Sequence, residues 1–269
     1  MVAAQRASFI QSGDSRAFLM SYLPAGAAPP SRCYVVAPAF SEEMNRSRDV
    51  LRAFATAAAV DGKATFIPDL RGTGDSPGSF GEFAIDDWCA DLAETVRQVQ
   101  NQYPGTPITL LAVRFGALLA ARTLNSIDVD DLLLWQPVVE GRRQVRELLR
   151  VWSAANLASR SPTQEDPWTL LEQHGALEIA GYRLTQELAS EMTAMRLWLE
   201  RPMQMRWIEA GANLPPRTTR WIDSLVQNGH SVDTALVDCA PFWRIQERVD
   251  SRAFVAASLK SRSQETESE

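Results

Sequence analysis

Pro107-Ile-Thr-Leu-Leu-Ala-Val-Arg-Phe-Gly-Ala-Leu-Leu-Ala-Ala-Arg122 is followed ten residues on by Leu132-Leu-Leu-Trp135. The first apolar run, 107–113, predicts a strand buried on both faces, and 132–135 predicts a second. A helix over 116–124 links them, so the two strands run parallel. Small residues, Ala112 and Gly116, stand two places either side of Arg114. Small flanks are what a sharp strand-to-helix turn requires. The residue at its tip carries a guanidinium, which is always protonated and cannot act as a nucleophile.

The same rhythm extends upstream. Segments 5–12 and 15–23 flank Gly13-Asp14 and predict an antiparallel hairpin. Strands at 33–37 and 64–68 alternate with helices at 45–60, which stops at Gly62, and at 86–103. Downstream of Trp135 the rhythm breaks. Residues 141–201 show no strand signal and read as a helix over 142–157, a loop around Ser161-Pro162 and Asp166-Pro167, and a helical stretch over 177–199. The sheet resumes at 203–209 and, after a helix over 218–228, closes at 232–237. The layout predicts an α/β-hydrolase fold: an eight-stranded, mainly parallel sheet with a helical cap inserted after strand 6. The expected division is a core of 1–140 and 202–257, a cap of 141–201 and a flexible tail of 258–269.

Composition narrows the function classes. The 269 residues are 45% hydrophobic and 22% charged, an ordinary globular balance, with a net charge of −6. A duplex nucleic-acid binder needs a basic face, which this balance argues against. No window reaches the ~20 apolar residues of a membrane span, and the start shows no apolar leader segment. Cys33, Cys89 and Cys239 are odd in number and widely spaced. That argues against a disulfide framework or a zinc site and points to the cytoplasm. Nothing in the sequence calls for a metal or other cofactor.

In this fold the turn at Arg114 is the nucleophile elbow, G-x-S-x-G, with triad members in the order Ser, Asp, His. The elbow shape is kept, with Arg114 in the serine position and Phe115 behind it. The acid slot, after the seventh predicted strand, holds Asn213, and the histidine slot after the eighth holds Pro241. Neither can do the work of an Asp or a His. His230 precedes the last strand, at its wrong end, and His174 falls in the insert. Asp69-Leu-Arg-Gly-Thr-Gly-Asp-Ser76 matches the glycine-turn motif after the fourth strand of such proteins. The loop after the third strand reads Pro38-Ala-Phe-Ser-Glu-Glu-Met-Asn-Arg-Ser47.

Five stretches together resemble one branch, the α/β-hydrolase-like "hydrolase 2" proteins associated with the exosortase A system. They are the loop from Pro38, the motif from Asp69, Arg114-Phe-Gly-Ala-Leu-Leu-Ala120, Leu132-Leu-Leu-Trp-Gln-Pro-Val-Val-Glu-Gly141 and Pro241-Phe-Trp243. The resemblance implies a cytosolic protein of bacterial exopolysaccharide and protein-sorting gene sets, and it supplies no substrate. Three readings stay open. In the first, the old active site binds a small anionic ligand or a protein of the exosortase system. Its expected pocket is Phe40, Ser41, Glu42, Glu43, Asn45, Asp69, Arg71, Asp75, Arg114 and Gln136, all near carboxyl ends of strands. In the second, Ser41 with Glu42 or Glu43, or a carboxylate activating water, hydrolyses an ester, thioester or glycan ester. In the third, Arg114 and Glu43 form a structural ion pair. Arg114 stands at a helix N-terminus, which disfavours cations, so something negative must lie against it. Glu42 and Glu43 are the leading internal partners.

Overall fold

The computed structural model describes residues 4–159 and 163–260. Eight strands form one sheet: β1 (Ala4–Ser12), β2 (Ser15–Leu23), β3 (Cys33–Ala37), β4 (Ala64–Asp69), β5 (Ile108–Val113), β6 (Asp131–Trp135), β9 (Gln204–Ala210) and β10 (Ser231–Val237). Their order across the sheet is β1-β2-β4-β3-β5-β6-β9-β10. The pairs from β4 to β10 are parallel, and β2 joins β1 and β4 antiparallel. The sequence dictates this burial. β3 and β5 are buried at every position, and their alternate residues face two separate cores.

Helices α1 (Glu42–Val60) and α8 (Arg252–Leu259) cover one face, sending Phe54, Ala58, Phe254 and Val255 into a core with Val36, Leu111 and Trp135. Helices α2 (Ile85–Gln102) and α3 (Gly116–Thr123) cover the other, with Trp88, Leu92, Val96 and Leu118 against Val35 and Leu110. α7 (Pro216–Gln227) adds Leu225 to that second core.

Between β6 and β9 lie α4 (Gly141–Leu157), α5 (Pro167–His174), β7 (Ala176–Ile179), β8 (Tyr182–Thr185) and α6 (Gln186–Ala194). This corrects the all-helical expectation for the insert. β7 and β8 form an antiparallel hairpin with Ile179 opposite Tyr182. Its turn, Ala180-Gly181, has positive φ at both residues, 49° and 84°, the two-residue turn whose twist matches paired strands. Leu177, Ile179 and Leu184 are buried on it, a period of two hidden among helix-forming residues. Beyond α6 the chain is extended, with a bridge between Arg196 and Glu140. Asp166, expected in a loop, caps α5 by accepting from the amides of Trp168 and Thr169. Ser161 and Pro162 lie outside the described residues. The tail expectation also shifts: α8 runs to Leu259 with Ser258 buried, and 261–269 are outside the described residues.

Candidate functional site

The elbow is shaped by its neighbours. Arg114 takes φ 54°, its amide donates to the Trp135 carbonyl and its carbonyl accepts from Val138, both at 3.0 Å. A Cβ on Gly116 would run into the carbonyl oxygens of Ala37 and Pro38. Only glycine lets α3 dock this closely on the end of β3.

The Arg114 side chain is a hub. Its Nε and Nη2 donate to one oxygen, Glu43 Oε1, at 3.1 and 3.0 Å. Nη2 also reaches Glu147 Oε2 at 3.2 Å, and Nη1 donates to the Gln136 carbonyl at 3.1 Å. The Trp243 ring centre lies 5.2 Å from the guanidinium carbon. With Arg114 only 7% exposed, this arrangement resolves the conflict between a buried cation and a helix N-terminus: two carboxylates neutralise it. Burial raises the Glu43 pKa, and Arg114 beside it offsets this only in part. Glu147 reaches on to Arg244 Nη2 at 3.5 Å.

Beside the hub, at the carboxyl edge of the sheet, opens a cavity of about 470 Å³. Its walls come from the segment after β6, the first turns of α4 and α7, the end of β9 and the loop after β10. Glu209, at the end of β9, is 3% exposed. Trp207 Nε1 donates to it at 2.8 Å and Gln136 Nε2 donates to its other oxygen. Burial raises its pKa. Gln136 in turn accepts from the Ala210 amide at 2.7 Å. Among the described residues four non-glycines have positive φ, and three of them, Ser41, Arg114 and Gln136, follow the adjacent strands β3, β5 and β6. Backbone held in such sparsely populated regions collects at ligand sites and switches.

The expected pocket is thus divided. Glu43, Arg114 and Gln136 meet, and Pro241 lines the same cavity. Phe40 and Phe115 are core residues, the Phe40 ring lying edge-on to Phe80 and Trp88 and tilted against Phe115. Ser41 is buried ahead of α1, and Glu42 pairs with Arg46 rather than Arg114. Asn45 donates to the Tyr182 hydroxyl. Asp69 holds Arg48 and the Asp75 amide, and Arg71 is gripped by Asp91, so both brace loops. Asp75 and Asn213 are exposed. Glu147 and Glu209, both on the cavity wall, are not among the residues expected from the sequence. Glu209 had a signal, a lone acid closing a predicted buried strand; Glu147 had none. A separate cavity of about 390 Å³ lies at the opposite edge of the sheet, around Arg32 and Asp131.

A family model described as serine aminopeptidase, S33, matches residues 28–214. The chain belongs to this α/β-hydrolase family. No curated protein matches it. Solved structures resemble the S33-family chain at low identity. An α/β serine hydrolase without a lid from Xanthomonas campestris is 16% identical, with TM-score 0.54 over 89% of this chain and 87% of that one. A thermostable carboxyl esterase from Bacillus coagulans is 15% identical, with TM-score 0.58 over 87% and 89%. The ferulic-acid-bound Est1E from Butyrivibrio proteoclasticus is 12% identical, with TM-score 0.57 over 86% and 88%. These likenesses concern the fold. Among the described residues no cluster of His, Cys, Asp and Glu fits a metal ion, and no helix is long and apolar enough to cross a membrane.

Proposed function

We propose that this chain is a non-hydrolytic member of the S33 family, its Ser-His-Asp machinery lost and its carboxyl-edge cavity binding an anionic ligand. One observation carries the reading: the residue at the nucleophile elbow is a buried arginine tied to Glu43 and Glu147. A neutralised cation offers neither a nucleophile nor a base. Other groups support the reading. Asn213 is exposed, and Pro241 has no titratable group. His230, at the amino end of β10, accepts the Met203 amide through Nδ1. Ser41 has no base, since Glu43 serves Arg114 and Glu42 serves Arg46. The five stretches quoted above support membership of the exosortase A-associated branch, working in the cytoplasm, with residues 141–201 acting as the cap. The Glu43–Arg114 pair specifically favours a second reading, a scaffold in which the hub is only structural.

Two measurements test the proposal. Fluorophosphonate probes should label no serine, and activated esters should give no burst. Stoichiometric labelling mapped to any serine would overturn it. Ligand titration separates binder from scaffold.

A further inference from the structure

The cavity beside Arg114 is positively charged in a chain whose net charge is −6. Four arginines line it, Arg114, Arg143, Arg217 and Arg244, against Glu147 and Glu209. The surplus sits at the mouth. Arg143 makes no ion pair within 4 Å among the described residues, and the carboxylate its charge acts on is Glu209 in the same cavity. Arg217 stands 4.0 Å from Glu140, a carboxylate that Arg142 and Arg196 already hold at 2.8 and 2.6 Å. Arg244 shares Glu147 with Arg114.

One helix N-terminus adds to this field. α7 lines the cavity with Arg217 and Thr218 and has neither a side-chain cap nor an acid in its first turn. An arginine stands there instead, against the helix dipole. α4 contributes only its arginine, because it begins behind Glu140 and its Gly141 and Arg143 amides already donate to the Met195 and Glu140 carbonyls. A helix N-terminus and guanidinium groups facing one space form an anion site.

Two buried polar atoms say more about the occupant. Gln144 and Trp243, 2% and 4% exposed, line the cavity. Gln144 Oε1 and Trp243 Nε1 have no hydrogen-bond partner. Orphaned buried polar atoms are costly, and a ligand that satisfies them gains accordingly. The first needs a donor and the second an acceptor. A hydroxyl group is both.

Resting on the reading that this cavity is a ligand site, we infer that it takes a hydroxylated organic anion, a sugar acid or a sugar phosphate. Arg143, Arg217 and Arg244 hold the charged group, and Gln144 and Trp243 meet hydroxyls. Arg114, spent on Glu43 and Glu147, shapes the wall and does not hold the anion.

Isothermal titration of the full chain tests this with five probes: glucuronate, glucose 1-phosphate, glucose, acetate and inorganic phosphate. Glucuronate or glucose 1-phosphate should bind at least about tenfold more tightly than both glucose and its own bare anion. Which of the two wins separates carboxylate from phosphate. Arg143→Gln and Arg217→Gln should each weaken that binding about tenfold. Gln144→Leu should weaken the hydroxylated ligands and leave the bare anions unchanged. Arg97→Gln, on the outer surface of α2, should change nothing. Should the Arg143/Arg217 double variant fail to melt cooperatively, added salt acting on wild type replaces it, because binding must fall as ionic strength rises. No binding of either hydroxylated anion overturns the inference. So does equal affinity for glucose, equal affinity for the bare anion, or full affinity in the double variant. Failure of the non-hydrolytic reading shows separately, as fluorophosphonate labelling, and would leave this binding pattern standing.

Discussion

Replacing Arg114 with methionine isolates Glu43, whose side chain is only 13% exposed. Breaking a buried pair by removing one partner costs roughly 3–5 kcal/mol. The glutamate can limit the loss by taking up a proton. At pH 7 that step costs about 3.5 kcal/mol relative to a solvated carboxylate, which sets the ceiling. Arg114→Met should therefore destabilise the chain by about 3 kcal/mol, a fall of roughly 6 °C in Tm. The sign of the pH dependence follows from burial, which raises the Glu43 pKa in the folded state. A group with a raised folded pKa favours the folded state below its unfolded pKa, and that contribution is lost as pH rises through the folded value. The penalty in the variant should thus shrink to about 1 kcal/mol at pH 5, where protonation is nearly free. Adding Glu43→Gln should recover about 2 kcal/mol at pH 7. Urea unfolding of wild type and both variants at the two pH values measures all of this. A cost below about 1 kcal/mol at pH 7, or one that does not change with pH, would refute the buried hub.

Other outcomes follow from neighbouring features. On the proposed non-hydrolytic reading, Arg114→Ser should create no esterase activity, measured with activated esters, because triad members act as a unit and Asn213 and Pro241 supply neither acid nor base. Gly116→Ala should cost more than about 3 kcal/mol in thermal unfolding, since its Cβ meets backbone carbonyls that cannot move aside. Burial lowers the His230 pKa, so its contribution to stability is complete above about pH 6.5 and is lost as pH falls. His230→Gln should flatten that loss in urea titrations between neutral and mildly acidic pH. Ala180→Gly should stabilise the chain by about 0.5–1 kcal/mol by relieving a positive φ in the β7–β8 turn, read as a small rise in Tm.

The sheet was legible because strands buried on both faces are unbroken apolar runs, as at Cys33–Ala37 and Ile108–Val113. The hairpin β7–β8 was not, because Leu177, Ile179 and Leu184 sit among residues that also suit a helix and only Gly181 marked the turn. At the site, the elbow declared itself through an arginine between small residues, and the stretch after β3 supplied Glu43 as a partner in reach. Glu147 arrives from α4, whose apolar stripe sets the face that packs inward but does not announce that an acid beside it meets Arg114 across the chain. Phe40 was expected in the pocket because it follows β3. Its ring instead turns toward Phe80, Trp88 and Phe115, where aromatic burial outweighs exposure at a pocket wall.

The four non-glycine residues at positive φ also map where this chain has stability to spare and where it does not. Each such position holds about 1–3 kcal/mol of strain, so an engineer ranking sites for glycine or asparagine would choose 41, 114, 136 and 180. Position 180 does not line the cavity, and relaxing it is free of consequence there. At 114 the relief would sacrifice the ion pairs with Glu43 and Glu147, and at 136 the link between Gln136 and Glu209. Thermostabilisation of this chain therefore has targets at 180 on the insert and at 41 ahead of α1, neither of which lines the cavity, while 114 and 136 trade stability directly against the shape of the wall.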